Sequence, residues 1–158
     1  MDETTKLIID KVTVKCNPPK DVGCGLPVDI FYDCAKLSPS DLARLAAEAI
    51  GHLPEEAFDM AVGLAYTGVF FAAAIAGGRE VGILQADGKL YGPPLKDKKV
   101  ILVDDVIYQG KRIAEAATKL TKLGAKIIGC ACIVDRGAST VEGGRCPQPL
   151  WSAIQDEL

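Results

Sequence analysis

The sequence predicts an α/β fold in which a parallel central sheet is flanked by helices and carries a small N-terminal flap. Two observations predict the sheet. Residues 100–103 (VILV) and 127–134 (IIGCACIV) are apolar throughout, and each neighbours a segment with helical spacing. A strand buried on both faces loses the inside–outside alternation of an exposed sheet, so such runs between helices point to parallel strands covered on two sides. A third observation predicts the flap. VTVK and VDIFY, within residues 12–32, alternate around the breaker-rich CNPPKDVGCGLP, which suits a hairpin better than a βα unit.

The elements follow in order. Residues 1–36 are expected to form a hood segment and residues 37–158 the α/β core of one domain, since 158 residues suffice to bury a sizeable core. Residues 38–50 open with Ser-Pro-Ser-Asp and repeat apolar residues at Leu42, Leu45, Ala46 and Ala49, which predicts a capped helix. Residues 58–63 form a short apolar run ending in glycine, and residues 68–76 read as the helix after it. Residues 81–86 are a weaker strand, followed by the polar stretch 87–95 with its Gly and Pro-Pro breakers. After the strand 100–103, Ile113, Ala116, Ala117 and Leu120 keep helical spacing up to Gly124, a residue suited to the C′ position. The strand 127–134 comes next, and no internal repeat is evident.

Composition excludes several functions. A chain that is 49% apolar and 25% charged is globular rather than disordered. A net charge of -3 argues against a general nucleic-acid binder. The longest apolar stretch, residues 61–76, is too short and too interrupted to span a bilayer. The charged start MDETTKLIIDK lacks the apolar core of a secretory signal, so a cytoplasmic protein without membrane contact is expected. The six cysteines include no C-x-x-C pair. Cys16 and Cys24 straddle a Pro/Gly loop and fit no standard zinc template, and Cys130 and Cys132 face one side of a strand as small hydrophobes, so free thiols are expected.

In open parallel sheets ligands bind beyond the carboxyl ends of the strands, which directs attention to VILVDDVIYQGKRIAEA, residues 100–116. Here a buried strand ends in Asp104 and Asp105, turns through Gly110 and enters a helix. The free N–H groups and positive dipole end of that helix face the turn, where Lys111 and Arg112 add charge, so a phosphate monoester suits it. Asp104 and Asp105 suit hydroxyls or a hydrated divalent cation. A guest with both features is a ribose 5-phosphate. The alternative is that the two acids only end the strand and cap the helix.

These residues resemble the phosphoribosyl-diphosphate signature of type I phosphoribosyltransferases. The resemblance implies that Asp104 and Asp105 hold the ribose hydroxyls and that Tyr108, Gln109, Gly110, Lys111 and Arg112 bind the 5-phosphate. The family loop usually carries threonines where this chain has Tyr108 and Gln109. VGLAYTGVFFAAAIA, residues 62–76, resembles the diphosphate loop of the orotate branch, which implies diphosphate binding by Ala65, Tyr66, Thr67 and Gly68; Thr67 stands where that branch has lysine. VTVK and IVDRG resemble segments that place Lys15 and Arg136 at the base. The mobile loop of that branch corresponds to residues 78–92, whose cations are Arg79 and Lys89, and Lys89 is assigned a catalytic role with Asp104 and Asp105. The only histidine, His52, is expected at the surface.

The resemblance further implies a type I phosphoribosyltransferase fold and transfer of phosphoribosyl from its diphosphate to a nucleobase, with orotate favoured. It also implies Mg²⁺, held indirectly through ligand or water at Asp104 and Asp105, and a homodimer. A sensor that binds phosphoribosyl diphosphate or a nucleotide without turnover is the alternative, and a metal-dependent hydrolase using the Asp pair is a third reading.

Overall fold

The computed structural model of the chain describes residues 1–21, 27–64, 66–137 and 146–156. Its centre is a seven-stranded sheet made of β3 (Met60–Leu64), β4 (Glu80–Leu84), β5 (Leu90–Tyr91), β6 (Lys99–Val103), β7 (Val106–Ile107), β8 (Lys126–Asp135) and β9 (Leu150–Gln155). The order is β5-β4-β3-β6-β8-β7, with β9 also on β8, and every pairing is parallel except β4 with β5. The parallel, doubly covered sheet predicted from the apolar runs is therefore present.

Alternate residues of these strands feed two cores. Ala61, Ile101, Val103, Ala131 and Ile133 pack beneath α1 (Glu3–Val12), α2 (Pro39–Ile50) and α3 (Thr67–Ala76). Val62, Val100, Leu102, Cys130 and Cys132 pack on the other face beneath α4 (Lys111–Lys122). Ile101, Leu102, Val100 and Val103 are fully buried, which is why β6 shows no alternation in sequence. Cys130 and Cys132 lie on one face as expected, and Cys16, Cys34, Cys130, Cys132 and Cys146 are free thiols; Cys24 lies outside the described residues.

Local signals set the helix ends. Ser38 caps α2: its hydroxyl accepts from the Asp41 N–H at 3.2 Å, and the Asp41 carboxylate accepts from the Ser38 N–H at 2.9 Å, a reciprocal capping box. Gly124 follows α4 with φ of 93°, a left-handed conformation that suits glycine after a helix. The predicted flap is the antiparallel pair β1 (Thr13–Asp21) and β2 (Pro27–Tyr32).

Four elements were not anticipated. Asp2 accepts from the Thr5 N–H at 2.8 Å and starts α1, whose Thr5, Ile8, Ile9 and Val12 are buried. β9 adds to the edge of β8, and β7 continues beside β8 after the Asp pair. Residues 87–95, expected to be an irregular loop, contain β5. They fold back on β4 as a hairpin closed by the Gln85 N–H donating to the Lys89 carbonyl at 2.9 Å. Among the described residues no helix is long and apolar enough to cross a membrane.

Candidate active site

β6 ends at Val103, and the chain makes Asp104 and Asp105 before β7 resumes beside β8. The break stays in register because β8 bonds across it. The Asp104 N–H donates to the Ala131 carbonyl at 3.1 Å, and the Ile133 and Val134 N–H groups donate to the Asp105 carbonyl at 2.9 and 3.1 Å. Both acids are thus held on sheet backbone. Their side chains are fixed locally as well: Asp104 Oδ1 accepts from the Asp105 N–H at 3.0 Å, and Asp105 Oδ1 accepts from the Val106 N–H at 2.9 Å.

Two helix N-termini converge on this break. At the start of α3, Gly68 lies so close that a Cβ on it would stand 3.0 Å from Asp104 Cα and from the Val103 carbonyl oxygen. The missing side chain lets the helix end reach the acids, and the Thr67 hydroxyl donates to the Asp105 carboxylate. At the start of α4, Gly110 adopts φ of 69°, a left-handed turn, and its carbonyl accepts from the Ala114 N–H at 2.9 Å. Arg112 then reaches back, its Nη2 3.2 Å from Asp104 Oδ1.

Together these elements enclose a cavity of about 300 Å³, within the range of small-molecule sites. Asp104, Asp105, Tyr66, Thr67 and residues 106–113 line it, with Glu115 and with Phe31 and Tyr32 from β2. β2 of the hairpin thus contributes part of the cavity wall. Of the predicted residues, Tyr66, Thr67, Tyr108, Gln109, Gly110, Lys111 and Arg112 meet the acid pair at this cavity. Gly68 sits just behind, and Ala65 lies outside the described residues.

Asp104 is 5% exposed. Burial pushes its carboxyl up to about 8, with Arg112 pulling it down and the neighbouring Asp105 adding to the rise. A buried acid facing a cleft, with one cationic partner, is an arrangement that recurs at functional sites. It binds hydroxyl or cationic groups best, because either compensates for the water it has lost.

Other predicted residues are not brought to the cavity lining. Lys89 is exposed at the tip of the β4–β5 hairpin, its N–H tied to Asp87 at 2.9 Å. Arg79 is anchored elsewhere: its Nε donates to the Glu55 carbonyl at 3.1 Å and its guanidinium stacks 4.2 Å from the Phe58 ring centroid. Lys15 is exposed on β1, opposite Ile30. Arg136 is not at the surface but 3% exposed, 3.1 Å from Asp156 and 5.8 Å from the Tyr32 ring centroid. The Tyr32 hydroxyl also donates to Asp156. Burial, then that carboxylate, pushes the Tyr32 phenol up to about 12. IFYDCAKL, residues 30–37, also resembles a Tyr-Phe-Asp segment of the orotate branch, but the sequence assigns no site role to Phe31, Tyr32 or Asp156. The aromatic pair at the end of VDIFY was the available signal, whereas Asp156 reaches Arg136 only because β9 pairs with β8.

Among the described residues no group of three or more His, Cys, Asp or Glu side chains is placed to hold a metal. Two adjacent carboxylates fit a cation that takes its remaining ligands from a bound phosphate compound and water, not a cation caged by protein alone.

Residues 85–147 match the phosphoribosyl transferase domain. An orotate phosphoribosyltransferase of Nitrosococcus oceani is 36% identical over 110 residues, covering 60% of this chain and 50% of the relative. The chain thus spans about half the length of that curated relative. Leishmania donovani UMP synthase superposes with a TM-score of 0.79 at 22% identity, covering 97% of this chain and 36% of that one. Mycobacterium tuberculosis orotate phosphoribosyltransferase, solved in complex with 5-phospho-α-D-ribosyl 1-diphosphate, gives a TM-score of 0.71 at 17% identity, covering 97% of this chain and 94% of that one. The chain has the fold of these phosphoribosyltransferases, residues 85–147 match the phosphoribosyl transferase domain, and the chain is similar in sequence to orotate phosphoribosyltransferases.

Proposed function

We propose that this chain transfers phosphoribosyl from phosphoribosyl diphosphate to a nucleobase, with orotate as the acceptor and orotidine 5′-phosphate as the product of pyrimidine biosynthesis. The observation that carries the reading is the meeting of two helix N-termini with the Asp104–Asp105 pair in one cavity. One terminus suits a 5-phosphate and the other a diphosphate, and the acids between them suit the ribose hydroxyls. Residues 110–112 are assigned to the 5-phosphate and residues 66–68 to the diphosphate. Asp104 and Asp105 are assigned to the ribose, and the orotate homologue of Nitrosococcus oceani supports orotate as the base.

The base nitrogen attacks C1 of the ribose while the C1–oxygen bond to diphosphate breaks, so the protein supplies positioning and charge rather than a nucleophile. Thr67 holds Asp105 in place, and Arg112 neutralises Asp104 when that acid ionises. Asp104 and Asp105 would hold Mg²⁺ indirectly, through ligand or water, and the ion would supply positive charge to the leaving group. The working unit is proposed to be one domain, cytoplasmic and homodimeric, acting on small molecules without nucleic acid or membrane.

The test is the loss of orotate absorbance that depends on added phosphoribosyl diphosphate and Mg²⁺. Turnover lost in Asp105→Ala supports the reading, and no turnover on orotate or any other pyrimidine or purine base overturns it. One observation favours a second reading, a sensor that binds phosphoribosyl diphosphate without turnover. Lys89, the cation assigned to catalysis, lies on a tight hairpin outside the cavity lining. By analogy with the loss of one preorganised donor, a missing transition-state cation costs about 3 kcal/mol. Calorimetric binding with no turnover identifies the sensor.

A further inference from the structure

Behind the Gly110 turn lies a pair of thiols that the transferase reading does not use. Cys130, in the middle of β8, and Cys146, shortly before β9, have their sulfurs 2.7 Å apart, and both are buried. Cys130 Sγ also donates a hydrogen bond to the Pro147 carbonyl oxygen at 3.1 Å. Cys146 forms the wall against which the turn packs. A Cβ placed on Gly110 would stand 2.8 Å from Cys146 Cβ and 3.1 Å from Cys146 N. The same turn opens α4 and lines the cavity.

We propose that Cys130 and Cys146 form an oxidisable dithiol whose disulfide pins the wall behind Gly110 and so couples the anion loop to the thiol–disulfide state. The two sulfurs already lie close to bonding distance, and a disulfide needs about 2.05 Å between them. The oxidant is a small-molecule disulfide. Cys146, at 4% exposure, is the entry point, whereas Cys130 is fully buried. The hydrogen bond to Cys146, then burial, pushes the Cys130 thiol well above its usual range, so Cys130 stays protonated and does not make the first attack. The Cys146 thiolate attacks one sulfur of the oxidant and displaces one small thiolate, leaving a mixed disulfide. Cys130 then attacks Cys146 Sγ and displaces the second small thiolate. Each small thiolate takes up a proton given by one cysteine, so two protein thiols become one disulfide and the oxidant is reduced by two electrons.

The effect on the loop follows from packing. In the reduced protein the Cys146 side chain meets β8 through the thiol pair without a covalent bond, while the Pro147 and Pro149 carbonyls that follow it accept from Cys130 Sγ and N. A covalent bond ties the wall to a central strand, so local opening of the Gly110 turn is suppressed. The inference stands on this geometry and is independent of the reaction catalysed.

The full chain is incubated with oxidised glutathione, digested without reduction and mapped by mass spectrometry, and amide exchange is followed over residues 108–113. Expected are a cross-linked peptide joining Cys130 to Cys146 and exchange in that segment slowed by about tenfold, both reversed by dithiothreitol and both absent in Cys146→Ser. Two unlinked, alkylatable cysteines in the oxidised and folded protein overturn the proposal. So does a cross-link that leaves the exchange unchanged. Neither readout involves turnover, so failure here and failure of the transferase reading are separate results.

Discussion

The carboxyl of Asp104 provides the sharpest physical test of the site. In the unfolded chain it titrates near 3.8, while in the fold burial pushes it up to about 8. Between these values the folded state holds a proton that the unfolded state has released, so stability falls as pH rises through that window. At about 1.36 kcal/mol per pH unit, moving from pH 5 to pH 8 removes on the order of 3 kcal/mol on this account. Asp104→Asn keeps the shape of the protonated acid and cannot ionise. It is therefore expected to exceed the wild type already at pH 5, because the unfolded acid is ionised there, and the gap is expected to widen by about 3 kcal/mol by pH 8, less a small loss from the half-exposed Arg112 ion pair. Urea unfolding at pH 5, 6, 7 and 8 in the presence of a chelator measures this, and taking the difference between variants cancels the other titrating groups. A difference that stays flat across the range, or that turns against the variant at pH 8, refutes the argument that burial dominates Asp104.

Three further outcomes are expected. Gly68→Ala places a methyl 3.0 Å from the backbone of Val103 and Asp104, so α3 must retreat, at about 1–3 kcal/mol in thermal unfolding and with weaker binding of phosphoribosyl diphosphate. Arg112→Ala weakens that binding by about tenfold or more in calorimetry, while Lys89→Ala leaves it within about twofold, because only Arg112 lines the cavity. Equal losses for the two variants would restore Lys89 to the site. Ser38→Ala breaks the reciprocal cap of α2 and costs about 1 kcal/mol in chemical unfolding without altering ligand affinity.

Much of this protein is written in local chemistry. The apolar runs of β6 and β8, the Ser38–Asp41 cap and Gly124 after α4 are short-range signals, and each appears in the fold close to where the pattern puts it. Asp104, Asp105 and residues 108–112 were legible for the same reason, since a strand end, a turn and a helix start are contiguous in the chain. α1 also has a local signal, an Asp2 cap followed by Thr5, Ile8, Ile9 and Val12 on one face. Other features have no local signature. Thr67 reaches Asp105, Asp156 reaches both Tyr32 and Arg136, and Cys146 meets Cys130 through contacts between elements distant in sequence. The tight β4–β5 hairpin that keeps Lys89 from the cavity lining depends on pairing with a strand already placed in the sheet. Side-chain periodicity and caps report what a segment prefers. Which charge is buried, and beside which partner, follows only from how the layers pack, because the desolvation that lifts Asp104 to about 8 is produced by the surrounding elements together.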